Sequence, residues 1–141
     1  MTTNIGLIKG ADRVTKNFGG WPSFHDAEVI RIMLDRSGSD GPSLEMQIHA
    51  FEMTREVDPS GYYVNKNHSL ISMRHTRICL QELKWFNHQN VLSCINIFPI
   101  NPEENEGRGI GVELLSLYGM EAKFQCAECE VTDVRPFEPS A

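Results

Sequence analysis

Hydrophobic and polar residues alternate with period two along much of the chain, the pattern of strands with one buried face. The clearest run sets Leu44, Met46, Ile48 and Ala50 against Glu45, Gln47 and His49. Beyond Ala50 the apolar parity moves to Phe51 and Met53, which predicts a bulge or a strand end. Upstream, Ile30, Ile32 and Leu34 share one parity and Arg31 and Asp35 the other, predicting a strand over 28–35. Leu70 to Leu80 reads as a third long strand, and Val91 to Phe98 as an apolar one closed by Pro99 and Pro102. Ile110, Val112 and Leu114, then Ala122, Phe124 and Cys126, form two arms of a hairpin turning at Gly119. Tyr62–Val64 is a candidate brief strand, followed by a turn at Asn65 to Asn67. The period changes only at Asp12 to Phe18, where Val14 and Phe18 are four apart and Gly19–Gly20 ends the run; this predicts a short helix.

Turn residues punctuate the strands at Asp35 to Pro42, Asp58 to Gly61, Phe86 to Asn90 and Asn101 to Gly109. No helices separate the strands, as a parallel sheet would require. The expected fold is α+β and mostly β: about six strands in a twisted antiparallel sheet with one short N-terminal helix. A length of 141 residues fits a single domain over 1–141. Its core is expected over about 18–131, with residues 1–10 and 135–141 peripheral.

Composition narrows the function classes. Forty per cent of residues are apolar and 23% charged, as in folded globular chains. There is no run of about 20 apolar residues to cross a bilayer and no secretory pattern at the start, so a cytoplasmic location is expected. The net charge of -6 is carried entirely by residues 101–141, since acids and bases balance before them. That distribution argues against binding a phosphate backbone and suits a partner with a basic surface.

Two short motifs invite a chemical reading. His25-Asp26-x-Glu28 places three metal-capable or acid/base groups within four residues, so a small metal-assisted hydrolase is one functional reading. Neighbours on a regular strand point to opposite faces, so such a site would have to be built in the turn before Val29. The alternative is structural: Trp21 and Phe24 as core anchors, with Asp26 in a turn. Cys126-Ala127-Glu128-Cys129 is half of a zinc-type motif without a second half, and two small buried residues are the simpler reading. His68, His75 and His88 follow no standard ligand spacing. No cofactor motif is present, and no cofactor or metal is expected.

The string Phe18-Gly19-Gly20-Trp21-Pro22-Ser23-Phe24-His25-Asp26-Ala27-Glu28-Val29 resembles the opening motif of the immunity protein 50 family. Phe86-Asn87-His88-Gln89-Asn90-Val91 and the Tyr118-Gly119 hairpin with Cys126 are similar to its later pattern. The resemblance implies a mostly-sheet immunity protein of a bacterial polymorphic toxin system: a non-enzymatic inhibitor that binds and neutralises a cognate toxin domain. The motif residues would be Trp21, Phe24, His25, Asp26 and Glu28. A nuclease toxin would present a basic cleft, for which Glu121, Glu128 and Glu130 are the candidate contacts. Self-association through exposed sheet edges is the remaining reading.

Overall fold

The structure, a computed structural model, describes residues 3–138. A short 3-10 turn (Ile5–Leu7) leads into β1 (Ile8–Lys9) and helix α1 (Ala11–Phe18). Eight strands follow: β2 (Glu28–Asp35), β3 (Ser43–Val57), β4 (Tyr63–Thr76), β5 (Cys79–Lys84), β6 (Val91–Pro99), β7 (Ile110–Tyr118), β8 (Glu121–Cys126) and β9 (Glu128–Pro136). They form one sheet in the order β1-β9-β4-β3-β2-β6-β7-β8-β5. Every pairing is antiparallel except the short parallel contact of β1 with β9.

The mostly-β fold is as expected, but the sheet has nine strands rather than about six. The predicted strand over Leu70 to Leu80 is two strands. Arg77 takes a left-handed φ of 51°, outside the extended region of a regular strand, and the chain turns there from β4 into β5. The chain breaks again at Ala127, whose N–H donates to the Thr76 carbonyl at 2.9 Å, dividing β8 from β9. The two-residue β1 is too short to show any period. It also means the helix is not strictly N-terminal, since β1 precedes it. Asn65 to Asn67, expected as a turn, lies inside β4; a register shift opposite Phe51 absorbs the left-handed Asn67.

The alternation itself is largely obeyed. Leu44, Met46, Ile48 and Ala50 are all buried, and the ladder shifts register immediately after Ala50. In β2 the alternation is interrupted. A bulge between Val29 and Arg31 leaves Ile30 exposed, so Val29 rather than Ile30 joins Ile32 against the core, while Leu34 near the strand end is itself exposed.

At β2–β6 the ladder is reduced to one pair, Glu28 opposite Val91. The sheet folds over at this seam, so that β1, β9, β4, β3 and β2 face β6, β7, β8 and β5 across a common core. Ile71 and Met73 of β4 and Val112, Leu114 and Phe124 of the other half belong to this one core, and His75 of β4 sets its ring edge-on to Phe124 at 4.9 Å across it. Helix α1 packs on β9 with Val14 fully buried. Gly10 opens it, and a Cβ there would stand 2.7 Å from the Val131 carbonyl oxygen. Ile8 is buried in the same core.

Candidate functional site

The segment Trp21–Glu28 builds the seam. Phe24 and Asp26 both have left-handed backbone, with φ of 60° and 69°. The Ala27 N–H donates to the Phe24 carbonyl at 3.0 Å, closing a tight turn. This turn drives Phe24 and Ala27 into the core, where Trp21 meets Phe24 edge-on at 5.5 Å, and leaves His25 outside. It then bridges the two halves of the sheet. The Asp26 N–H donates to the Leu92 carbonyl at 2.9 Å, and the Leu92 N–H donates to the Ala27 carbonyl at 2.8 Å.

The three polar groups of His25-Asp26-x-Glu28 are therefore held apart in role. His25 Nε2 lies 3.7 Å from Asp26 Oδ1 at the surface. Glu28 accepts the Asn90 N–H at 3.3 Å and faces His49 across the ladder. Among the described residues no three His, Cys, Asp or Glu side chains converge as metal ligands. The other histidines disperse as well: His68 meets His49 at 2.9 Å, His75 is buried, and His88 is exposed. Burial, with His68 beside it, holds the His49 pKa below its usual value, opposed by Glu28. His75 donates from Nδ1 to the Leu44 carbonyl at 3.2 Å, and its enclosure lowers its pKa to about 4.

Cys126 and Cys129 are buried, and desolvation pushes the Cys126 thiol up to about 12 and the Cys129 thiol higher still. At neutral pH burial holds both thiols in the protonated form, the less nucleophilic one.

Asn90, in the second motif segment, is the centre of this region. Its side chain is buried, and its Oδ1 accepts the N–H groups of Asn87 at 3.0 Å and Met120 at 3.3 Å. Its Nδ2 donates to the carbonyls of Asn87 at 2.8 Å and Val29 at 3.4 Å. Its own carbonyl accepts the Val29 N–H at 2.9 Å. Gly119, at φ 85°, lies against it: an added Cβ would stand 2.9 Å from Asn90 Oδ1 and would also collide with the Gln89 carbonyl. The seam turn, the β5–β6 loop and the β7–β8 hairpin thus meet at one side chain. These are the three segments that carry the motif resemblance.

The family model for immunity protein 50 matches residues 10–137, from the start of α1 to just beyond β9. The chain belongs to the immunity protein 50 family. Comparison with curated proteins and with solved structures returns no match. In this family member, the motif is architectural at Phe24, Ala27 and Glu28 and solvent-facing at His25.

The three acidic candidates fall in two places. Glu128 and Glu130 share the outer face of β9, where Glu128 is paired and Glu130 lies between two cationic ladder neighbours. Lys9 Nζ lies 2.9 Å from Glu128, and its hydrogen bond and charge lower the Glu128 pKa. Glu130 stands opposite Lys9 on one side and Arg74 on the other, and Arg74 in turn meets Glu45 at 3.5 Å. Lys9, Glu130, Arg74 and Glu45 thus run across four neighbouring strands with alternating sign. Glu121 begins β8 in the other half of the sheet, opposite Lys84 of β5.

The periodicity reading passed over a set of exposed apolar residues. Trp85 and Phe86 project from the β5–β6 loop and Leu117 and Tyr118 from the end of β7, with Trp85 65% and Tyr118 53% exposed. A usable signal existed. Trp85-Phe86 stands beside the polar run that marks the loop, where a large aromatic pair has no strand face to fill.

Proposed function

We propose that this chain is a non-enzymatic immunity protein that acts in the cytoplasm by binding and neutralising a cognate toxin domain. The observation that carries this reading is the family match from residue 10 to residue 137, because immunity is the role the family is described by. The geometry is consistent with binding rather than catalysis. The groups that invited a hydrolase, His25, Asp26 and Glu28, are distributed between solvent, a turn and a structural hydrogen bond. A basic nuclease is the toxin class that the negative charge of the last third suits best.

The test is co-expression with the toxin C-terminal domain encoded beside this chain's gene, joined to a binding measurement with the purified pair. Restored growth with formation of a stoichiometric complex is the expected outcome. Restored growth without any complex would replace binding with an enzymatic mechanism. Growth arrest that persists with abundant folded chain would end the proposal.

A further inference from the structure

We propose that the end of the sheet carrying Trp85, Phe86, Leu117 and Tyr118 is the surface that receives the toxin, and that the toxin meets it with lysine and arginine around an apolar contact. This rests on the toxin-binding reading and locates its interface.

Four large apolar side chains are exposed, two on the β5–β6 loop and two at the end of β7 where it enters the β7–β8 hairpin, and neither segment is loose. Asn90 joins the β5–β6 loop to the β7–β8 hairpin through Asn87 and Met120, and the space around Gly119 admits no side chain. Rigid, exposed aromatics are the residues that dominate binding energies, because little entropy is lost when they are covered. Grouped exposed apolar residues on a folded chain mark interaction sites.

Trp85 adds an independent sign. It has a φ of 62°, a left-handed backbone that is uncommon for a bulky residue. Its carbonyl is held there by Asn87 Nδ2 at 2.8 Å. Its side chain is exposed, so this strained backbone is not repaid by packing in the core. Strain without a structural return is characteristic of functional positions.

Charge decides the kind of partner. Asp26, Glu28 and Glu121 border this end, where Val91 pairs with both Glu28 and Tyr118. The neighbouring Lys84 is already engaged, 3.0 Å from Glu82 and 4.5 Å from the centre of the Trp85 ring. On β9, by contrast, Glu128 is already paired with Lys9 at 2.9 Å, and Glu130 stands between Lys9 and Arg74 in the ladder, away from the aromatic end. Of the three acidic candidates, Glu121 is the one at the aromatic end.

The experiment measures the affinity of the toxin domain encoded beside this chain's gene for wild type and three variants, with thermal unfolding of each. Trp85→Gly relieves the backbone strain while removing the ring. Its Tm is expected to be unchanged or higher, with affinity at least about 30-fold weaker. Glu121→Lys is expected to weaken binding most at low salt. A control, Tyr62→Ser with Tyr63→Ser at the distant β3–β4 turn, is expected to bind as wild type does. Wild-type affinity in both Trp85→Gly and Glu121→Lys would overturn the assignment of this face while leaving the toxin-binding reading intact. Loss of binding only in the tyrosine variant would move the interface to the β3–β4 turn. A wild-type chain that does not bind the toxin domain would overturn both.

Discussion

The side-chain oxygen of Asn90 accepts the Met120 N–H across 3.3 Å, tying the β5–β6 loop to the β7–β8 hairpin. The same oxygen accepts from Asn87, so one buried amide satisfies backbone groups of both loops. Asn90→Ala leaves these N–H groups unpartnered. At about 1–3 kcal/mol for each abandoned buried group, the expected loss is about 3 kcal/mol of unfolding free energy. Asn90→Asp keeps the acceptor, but it loses the Nδ2 donor and places a carboxylate near Glu28. It should not rescue stability. Urea unfolding of the three proteins measures both effects.

Gly119 and Gly61 separate conformation from space. Both have positive φ, 85° and 87°, but nothing lies within 4 Å of a Cβ at Gly61, whereas at Gly119 it meets Asn90 and Gln89. Gly61→Ala should cost about 1 kcal/mol, the left-handed penalty alone. Gly119→Ala should cost at least about 2 kcal/mol, because backbone as well as side chain must move. Equal losses at the two sites would mean that the hairpin tip is not held against the loop.

The first motif makes a sharp contrast between neighbours. Phe24 is buried under Trp21, so Phe24→Ala is expected to cost about 3–5 kcal/mol. His25 is exposed one residue later, and His25→Ala should change stability by less than about 0.5 kcal/mol. If His25→Ala unfolded the chain while Phe24→Ala did not, the motif would be doing something other than closing the seam.

Most strand positions were legible because one face of each strand is buried and period two records that directly. What escaped was decided by local backbone breaks and by a strand too short to show a period. Arg77 and Ala127 split apparent strands without any change in composition, and neither arginine nor alanine is a conventional turn residue. The Ile30 bulge likewise exchanged an exposed isoleucine for a buried valine in a run that alternates well. For the candidate site, the three motif segments were visible one by one. Their convergence was not, because a contact between residues 62 positions apart, such as Glu28 with Asn90, leaves no trace in local spacing. The charge of the last third was visible too, but the pairing of Glu128 with Lys9 and the placing of Glu130 beside Arg74 depend on residues from distant strands.

Cysteine labelling tests burial without mutation. Cys79 is exposed and should react with a thiol reagent at neutral pH in the folded protein. Cys126 and Cys129 are buried with raised pKa values and should react only on unfolding, since the thiolate is the reacting form. Rapid labelling of all three in native buffer would place the β8–β9 junction at the surface.

His75 supplies the pH dependence. It is fully buried, its Nδ1 is bound to the Leu44 carbonyl, and its Nε2 has no partner among the described residues. Burial brings its pKa from 6.5 to about 4, so the folded chain resists a proton that the unfolded chain accepts. The folded pKa is the lower one, which fixes the sign. The contribution to stability is complete above about pH 6.5, declines as pH falls toward 4, and changes no further once the folded state also protonates. At about 1.4 kcal/mol per pH unit, the loss from this residue is about 3 kcal/mol across that window. In His75→Met the slope of unfolding free energy between pH 6.5 and 4 should flatten by that amount, whatever the substitution does to stability at neutral pH. An unchanged slope would mean that the ring is reached by water or already carries its proton in the folded chain.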